Sequence, residues 1–135
     1  MIALVAVAGW SLSACGGKKE EAKDSGDGYS DNEVVESKTE SADDLIAQGK
    51  VLIDASDCKT CHHATNKLVG PAHGDVAKKY EFTKANVGML ADKIISGGSG
   101  VWGEIPMTAH ADVPKADAEK MAMYVLSLDG EKPKD

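Results

Sequence analysis

The sequence predicts an all-α fold of short helices, and three observations carry that expectation. Beyond Glu40, apolar residues recur at helical spacing at both ends of the region, no stretch alternates as a half-buried strand does, and breaker-rich segments separate the periodic ones. The chain has 135 residues, enough for one small domain with appendages. Aromatic residues make up only 4%, so a large core built from side chains alone is not expected, and something else is expected to fill the interior.

The elements follow in chain order. Ser41 with Asp44 three residues on marks a helix start, Asp standing where a capping box usually has Glu. Leu45, Ile46, Gly49, Leu52 and Ile53 then share a face, which carries this helix to about Ala55. Shorter helices are expected near Asp75–Tyr80 and Val87–Ser96. Ser96-Gly97-Gly98-Ser99-Gly100 is too rich in breakers to be regular. The last helix starts after Pro114, carries Asp117 and Glu119 in its first turns and stops at Asp129-Gly130, an arrangement suited to the helix dipole and a left-handed cap. Its apolar face is Ala118, Met121, Ala122, Val125 and Leu128, with Tyr124 beside it. The first and last helices are expected to cross, Gly49 permitting close approach and Tyr124 filling the crossing.

The N-terminal part reads differently. Ile2 to Leu12 is apolar but too short for a hydrocarbon core, which takes ~20 residues. It matches the apolar stretch of an export signal. Leu12-Ser13-Ala14-Cys15 followed by Gly16 resembles the lipobox of bacterial lipoproteins, in which the cysteine becomes the first mature residue and carries lipid. No Lys or Arg precedes the apolar run, a departure from that pattern. Gly16 to Glu40 holds four Lys and eight acidic residues with few apolar ones, too little buriable surface to offset chain entropy. The organisation expected is a signal peptide over 1–14, a lipidated Cys15 with a disordered tether over 15–40, and a folded domain over 41–135. A tether of that length has an r.m.s. reach of roughly 25–30 Å.

Charge excludes one class of partner. With 15 basic and 22 acidic residues there is no basic patch to neutralise phosphates, so no nucleic-acid partner is expected. The three cysteines are an odd number for an exported chain, and a disulfide framework would use an even one.

The chemistry lies in Cys58-Lys59-Thr60-Cys61-His62, the attachment pattern of c-type haem. Two thiols three residues apart on one helical turn can add to the two vinyl groups of a porphyrin, and the next residue, His62, is directed at the iron. Three rivals share the Cys-x-x-Cys core. A thioredoxin-like pair needs a βαβ context that is absent here; a zinc site needs two more ligands, for which His63, His73 and His110 lack paired spacing; a five-residue match also arises by chance. The sixth position falls to Met107, which follows Pro106 in an irregular stretch, whereas Met121 sits on an amphipathic core face. Met89 and Met123 are the remaining candidates. Thioether ligation favours ferrous iron and raises the potential.

Val69-Gly70-Pro71-Ala72, Gly100-Val101-Trp102-Gly103, Ile105-Pro106-Met107 and Tyr124-Val125-Leu126-Ser127-Leu128 occur in that order. In this the chain resembles the short bacterial class I cytochromes c, over roughly Asp43 to Leu128. The resemblance implies an all-α wrap around one covalent haem with one edge exposed. It implies that the Pro71 carbonyl accepts a hydrogen bond from the far nitrogen of His62, and that Trp102 packs beside a haem propionate. Glu104 departs from the pattern, where a less charged residue, often proline, is expected. His63, His73 and His110 are expected to be solvated, and Lys78, Lys79 and Lys84 to form a solvated face.

The function expected is single-electron transfer between respiratory redox partners, such as a quinol-oxidising complex, a terminal oxidase or a periplasmic dehydrogenase. The alternative is a haem sensor or enzyme with a displaceable sixth ligand. The location expected is the periplasmic side of a bacterial membrane through the lipid on Cys15, the outer membrane being favoured because Gly16 stands where Asp would signal inner-membrane retention.

Overall fold

A computed structural model describes residues 40–134. Helix α1 (Ala42–Ala55) begins at the expected box: the Ser41 hydroxyl accepts the Asp44 N–H at 3.2 Å, and the Asp44 carboxylate accepts the Ser41 N–H at 3.2 Å. Two of the orphan donors at the helix start are thereby satisfied by one reciprocal pair. The helix ends at Ser56, whose extended backbone turns the chain and whose hydroxyl donates to the Ile53 carbonyl at 2.9 Å. A short 3-10 turn, Asp57–Thr60, follows at once.

Helix α2 (His73–Lys79) buries Val76 and Ala77. Helix α3 (Lys84–Ser96) starts at Thr83, whose hydroxyl accepts the Asn86 N–H at 3.3 Å. It stops at Gly97, with φ +67, where a Cβ would lie 2.4 Å from the Met107 carbonyl oxygen. Only glycine fits this left-handed turn against another strand.

The glycine-rich stretch departs from expectation. Residues Gly98–Gly100 form strand β1 and Gly103–Met107 form β2, an antiparallel pair with Gly98 opposite Met107 and Gly100 opposite Gly103. Met107 is therefore a strand end and not part of an irregular stretch. The physical reason is that Gly98, Gly100 and Gly103 take φ values of 122, 104 and 124, closed to other residues, and so bend the chain into a hairpin with Val101 and Trp102 at its tip.

Helix α4 (Lys115–Leu126) is the centre of the fold, packed by α1, α2 and α3. It buries Ala118, Met121, Ala122, Val125 and Leu126. Leu126 takes the place expected for Leu128, which is only partly buried. The α-helix gives way at Ser127–Asp129 to a 3-10 turn capped by Gly130, so extrapolating the helical face past Leu126 fails. The crossing of α1 and α4 is as expected and very close: a Cβ on Gly49 would lie 1.9 Å from the Lys120 carbonyl oxygen. Tyr124, partly buried, packs against the core. The chain end returns to the loop between α2 and α3, where Phe82 donates its N–H to Glu131 at 3.0 Å and accepts that of Lys134 at 2.7 Å.

Candidate functional site

The 3-10 turn presents Cys58 half-buried and Cys61 exposed, both as free thiols. The N–H groups of Cys61 and His62 both donate to the Cys58 carbonyl, at 3.1 and 2.8 Å, which winds the two sulfurs and the imidazole onto one turn. Ser56 Oγ also lies 3.0 Å from Cys58 Sγ.

His62 is held by the loop that follows. Its Nδ1 lies 2.8 Å from the Pro71 carbonyl oxygen. A carbonyl only accepts, so Nδ1 carries the proton and Nε2 keeps a bare lone pair. Gly70 lies against the ring, where a Cβ would be 2.4 Å from Cε1. The loop folds back to allow this, Gly70 N–H donating to the Cys61 carbonyl at 2.9 Å.

These residues line a cavity of about 520 Å³, within the ~300–1,000 Å³ usual for small-molecule and cofactor sites. Its other contributors include the hairpin, carrying Trp102, Ile105, Pro106 and Met107, and the core residues Met121 and Val125. Met89 reaches the same cavity from α3, while Met121 belongs to the core cluster, 3% exposed. The sequence thus named residues that the fold gathers around one space: Cys58, Cys61, His62, Pro71, Trp102 and Met107. Cys15 and the proposed signal and tether lie outside the described residues.

Two histidines expected to be solvated are not. His73, at the start of α2, stacks on His62 with ring centroids 5.1 Å apart and planes 21° from parallel. Burial, with the neighbouring His62 and His63 rings disfavouring a further positive charge, pushes its pKa down to about 4. His110 also walls the cavity. Its Nε2–H donates to the Asp57 carboxylate at 3.1 Å, and its Nδ1 is buried without a partner. Both are drawn in by tertiary packing, which leaves no periodic signal in the sequence. His63 is exposed, as expected, and its Nδ1 accepts the N–H groups of Thr65 and Asn66 at 3.1 and 3.2 Å. Lys78, Lys79 and Lys84 are exposed, as expected, and the Lys79 ammonium lies 5.3 Å from the Trp102 ring centroid and 5.8 Å from that of Tyr80.

The cavity fits a porphyrin. Leu68, Val69, Val101, Trp102 and Ile105 at its mouth are 40% or more exposed, an apolar rim that a flat apolar group bound there covers. The thiol pair supplies covalent attachment, the His62 lone pair a metal ligand, and the buried His110 Nδ1 a polar atom awaiting a partner. Among the described residues no group of three or more His, Cys, Asp or Glu is gathered to hold a bare metal ion.

Fold and site together define a small helical domain that holds one flat metallocofactor against a paired-thiol turn. The chain belongs to the cytochrome c family, whose sequence model matches residues 46–129. It is 49% identical over 71 residues to cytochrome c-552 of Hydrogenobacter thermophilus, spanning 53% of this chain and 71% of that protein. It is 40% identical over 95 residues to cytochrome c-552 of Nitrosomonas europaea, spanning 67% of this chain and 92% of that one. The crystal structure of wild-type Nitrosomonas europaea cytochrome c552 superposes with a TM-score of 0.56 at 41% identity, over 59% of this chain and 99% of that chain. The fold is that of a class I cytochrome c with a small hairpin added, and the cofactor is one covalently attached haem c, for which Cys58 and Cys61 fit the attachment motif. The family is one of monohaem electron carriers.

Proposed function

We propose that this chain carries single electrons between respiratory redox partners, with His62 and Met107 as the axial ligands of a haem bound through Cys58 and Cys61. The carrying observation is the His62–Pro71 bond, which leaves Nε2 as the ligating atom and holds the ring in one orientation. Haem bound there supplies a one-electron ferric/ferrous couple. The chain's own part is to fill and fix the surroundings. Met107 is held in place by pairing with Gly98 and offers a soft thioether from the hairpin wall. With His62 and Met107 both holding the haem iron, no substrate would reach the metal, and electrons would pass through whatever haem edge the protein leaves open, beside Trp102 at the cavity mouth.

The setting is part of the same reading. Lipid on Cys15 and a tether to residue 40 place the domain on the periplasmic side of a bacterial membrane, the outer membrane being favoured. Its partners there are a quinol-oxidising complex, a terminal oxidase or a periplasmic dehydrogenase. The net charge of residues 41–135, −3 before haem is counted, points to weakly steered, transient docking.

An absorption spectrum of the oxidised and reduced protein, with carbon monoxide then added to the reduced form, tests the proposal. The expected spectrum is low-spin and unchanged by the gas, while the Met107→Ala variant binds it. A wild-type spectrum that shifts with carbon monoxide would put a sensor or enzyme in place of the carrier.

A further inference from the structure

The ring of His62 is fixed on more than one side. Its Nδ1 edge is bonded to the Pro71 carbonyl, and its Cε1 occupies the space that a side chain at Gly70 would fill. One face is covered by His73, with 5.1 Å between ring centroids and 21° between planes. His73 is itself anchored, since it opens α2 and its N–H donates to the His63 carbonyl at 2.9 Å. The electron-carrier reading uses Pro71 and Gly70 but assigns this second ring no part.

We infer that His73 is a positioning residue: stacked on His62, it holds that ring's plane and stabilises the positive charge the ring gains when the iron is oxidised. The inference rests on the proposed ligation of iron by His62. Aromatic faces carry negative quadrupole charge and attract a positively charged neighbour. Loss of an electron from the iron draws density from the ligating imidazole, so the stack is stronger in the oxidised protein than in the reduced one. Its consequence is a lower potential than the same site would have with an aliphatic neighbour. The effect requires a ring at position 73 rather than an imidazole in particular.

The test compares the full-length haem-loaded protein with its His73→Leu and His73→Phe variants by equilibrium redox titration and by proton NMR of the oxidised form. In H73L the oxidised-to-reduced ratio at a fixed potential is expected to fall about three- to tenfold, a rise of about 30–60 mV at 59 mV per tenfold. The hyperfine-shifted His62 ring resonances are expected to move with it. H73F is expected to stay within about twofold of the wild type, or ~18 mV, with those resonances in place. If the leucine variant does not retain haem, His73→Asn replaces it, with the same rise expected. An H73L potential equal to that of the wild type, or an H73F potential displaced as far as that of H73L, would overturn the role. The wild-type NMR spectrum, recorded first, separates the two readings: absence of a haem-ligated histidine there removes the ligand assignment and this role together, whereas its presence with an unmoved potential removes the role alone.

Discussion

His62 takes its orientation from polypeptide contacts alone. The Pro71 carbonyl sets the tautomer, and the missing side chain of Gly70 makes room for the ring. Gly70→Ala therefore drives a methyl group into the imidazole, with a Cβ 2.4 Å from Cε1. Either the ring tilts away from Pro71 or the loop gives way, and overpacking of this kind costs about 1–3 kcal/mol. The expected result is a lower midpoint in chemical denaturation of the haem-loaded protein, accompanied by a shifted potential. A variant with wild-type stability and potential would mean that the loop moves freely, against the close fit described here.

Among elements, the tightest contact is the crossing of α1 and α4, where Gly49 meets the Lys120 backbone. Backbone atoms cannot move aside as a side chain does, so Gly49→Ala is expected to cost about 3 kcal/mol and to lower the melting temperature by roughly 12–24 °C. This crossing was legible in the sequence because the cap at Ser41, the apolar spacing through Ile53 and the glycine all point the same way. The hairpin was not, because positive-φ glycines read as breakers until the partner strand is known. As cavity residues, the attachment turn and Met107 were legible from their local sequence, whereas Pro71 and Trp102 were legible only through the resemblance to class I cytochromes c. His73 and His110 were not, because their burial is decided by contacts far along the chain. The strap from the chain end onto Phe82 belongs to that second group, and pH tests it. Accepting the Phe82 N–H, with Lys134 assisting, holds the Glu131 carboxyl below its ordinary 4.5. Its contribution is present above the unfolded value and lost as pH falls through the lowered folded one. The Phe82 amide resonance is expected to titrate with an inflection below 4.5 in the wild type, and not in Glu131→Gln.

For the whole molecule, the core and the cavity share one set of side chains. Ile53, Val76, Met121 and Val125 form the buried cluster that joins α1, α2 and α4, and all four also line the cavity. The largest fully buried side chains elsewhere are Phe82 and Leu126. A domain of about 95 residues with so little aromatic bulk is marginal without a further source of burial. The rim of Leu68, Val69, Val101, Trp102 and Ile105 is uncovered by polypeptide alone. Haem bound in the cavity adds contacts to the core cluster and to the rim together, so it reinforces helices that otherwise meet through this small cluster. Removing its attachment is expected to unfold the domain and not merely to empty a site. The Cys58→Ala/Cys61→Ala variant, purified free of haem, is expected to lose most of the helical circular dichroism signal of the loaded protein and to melt without a cooperative transition. A haem-free variant that keeps the native helical signal and melts sharply would show that the four-residue cluster holds the fold unaided, and the thin core would then need another account.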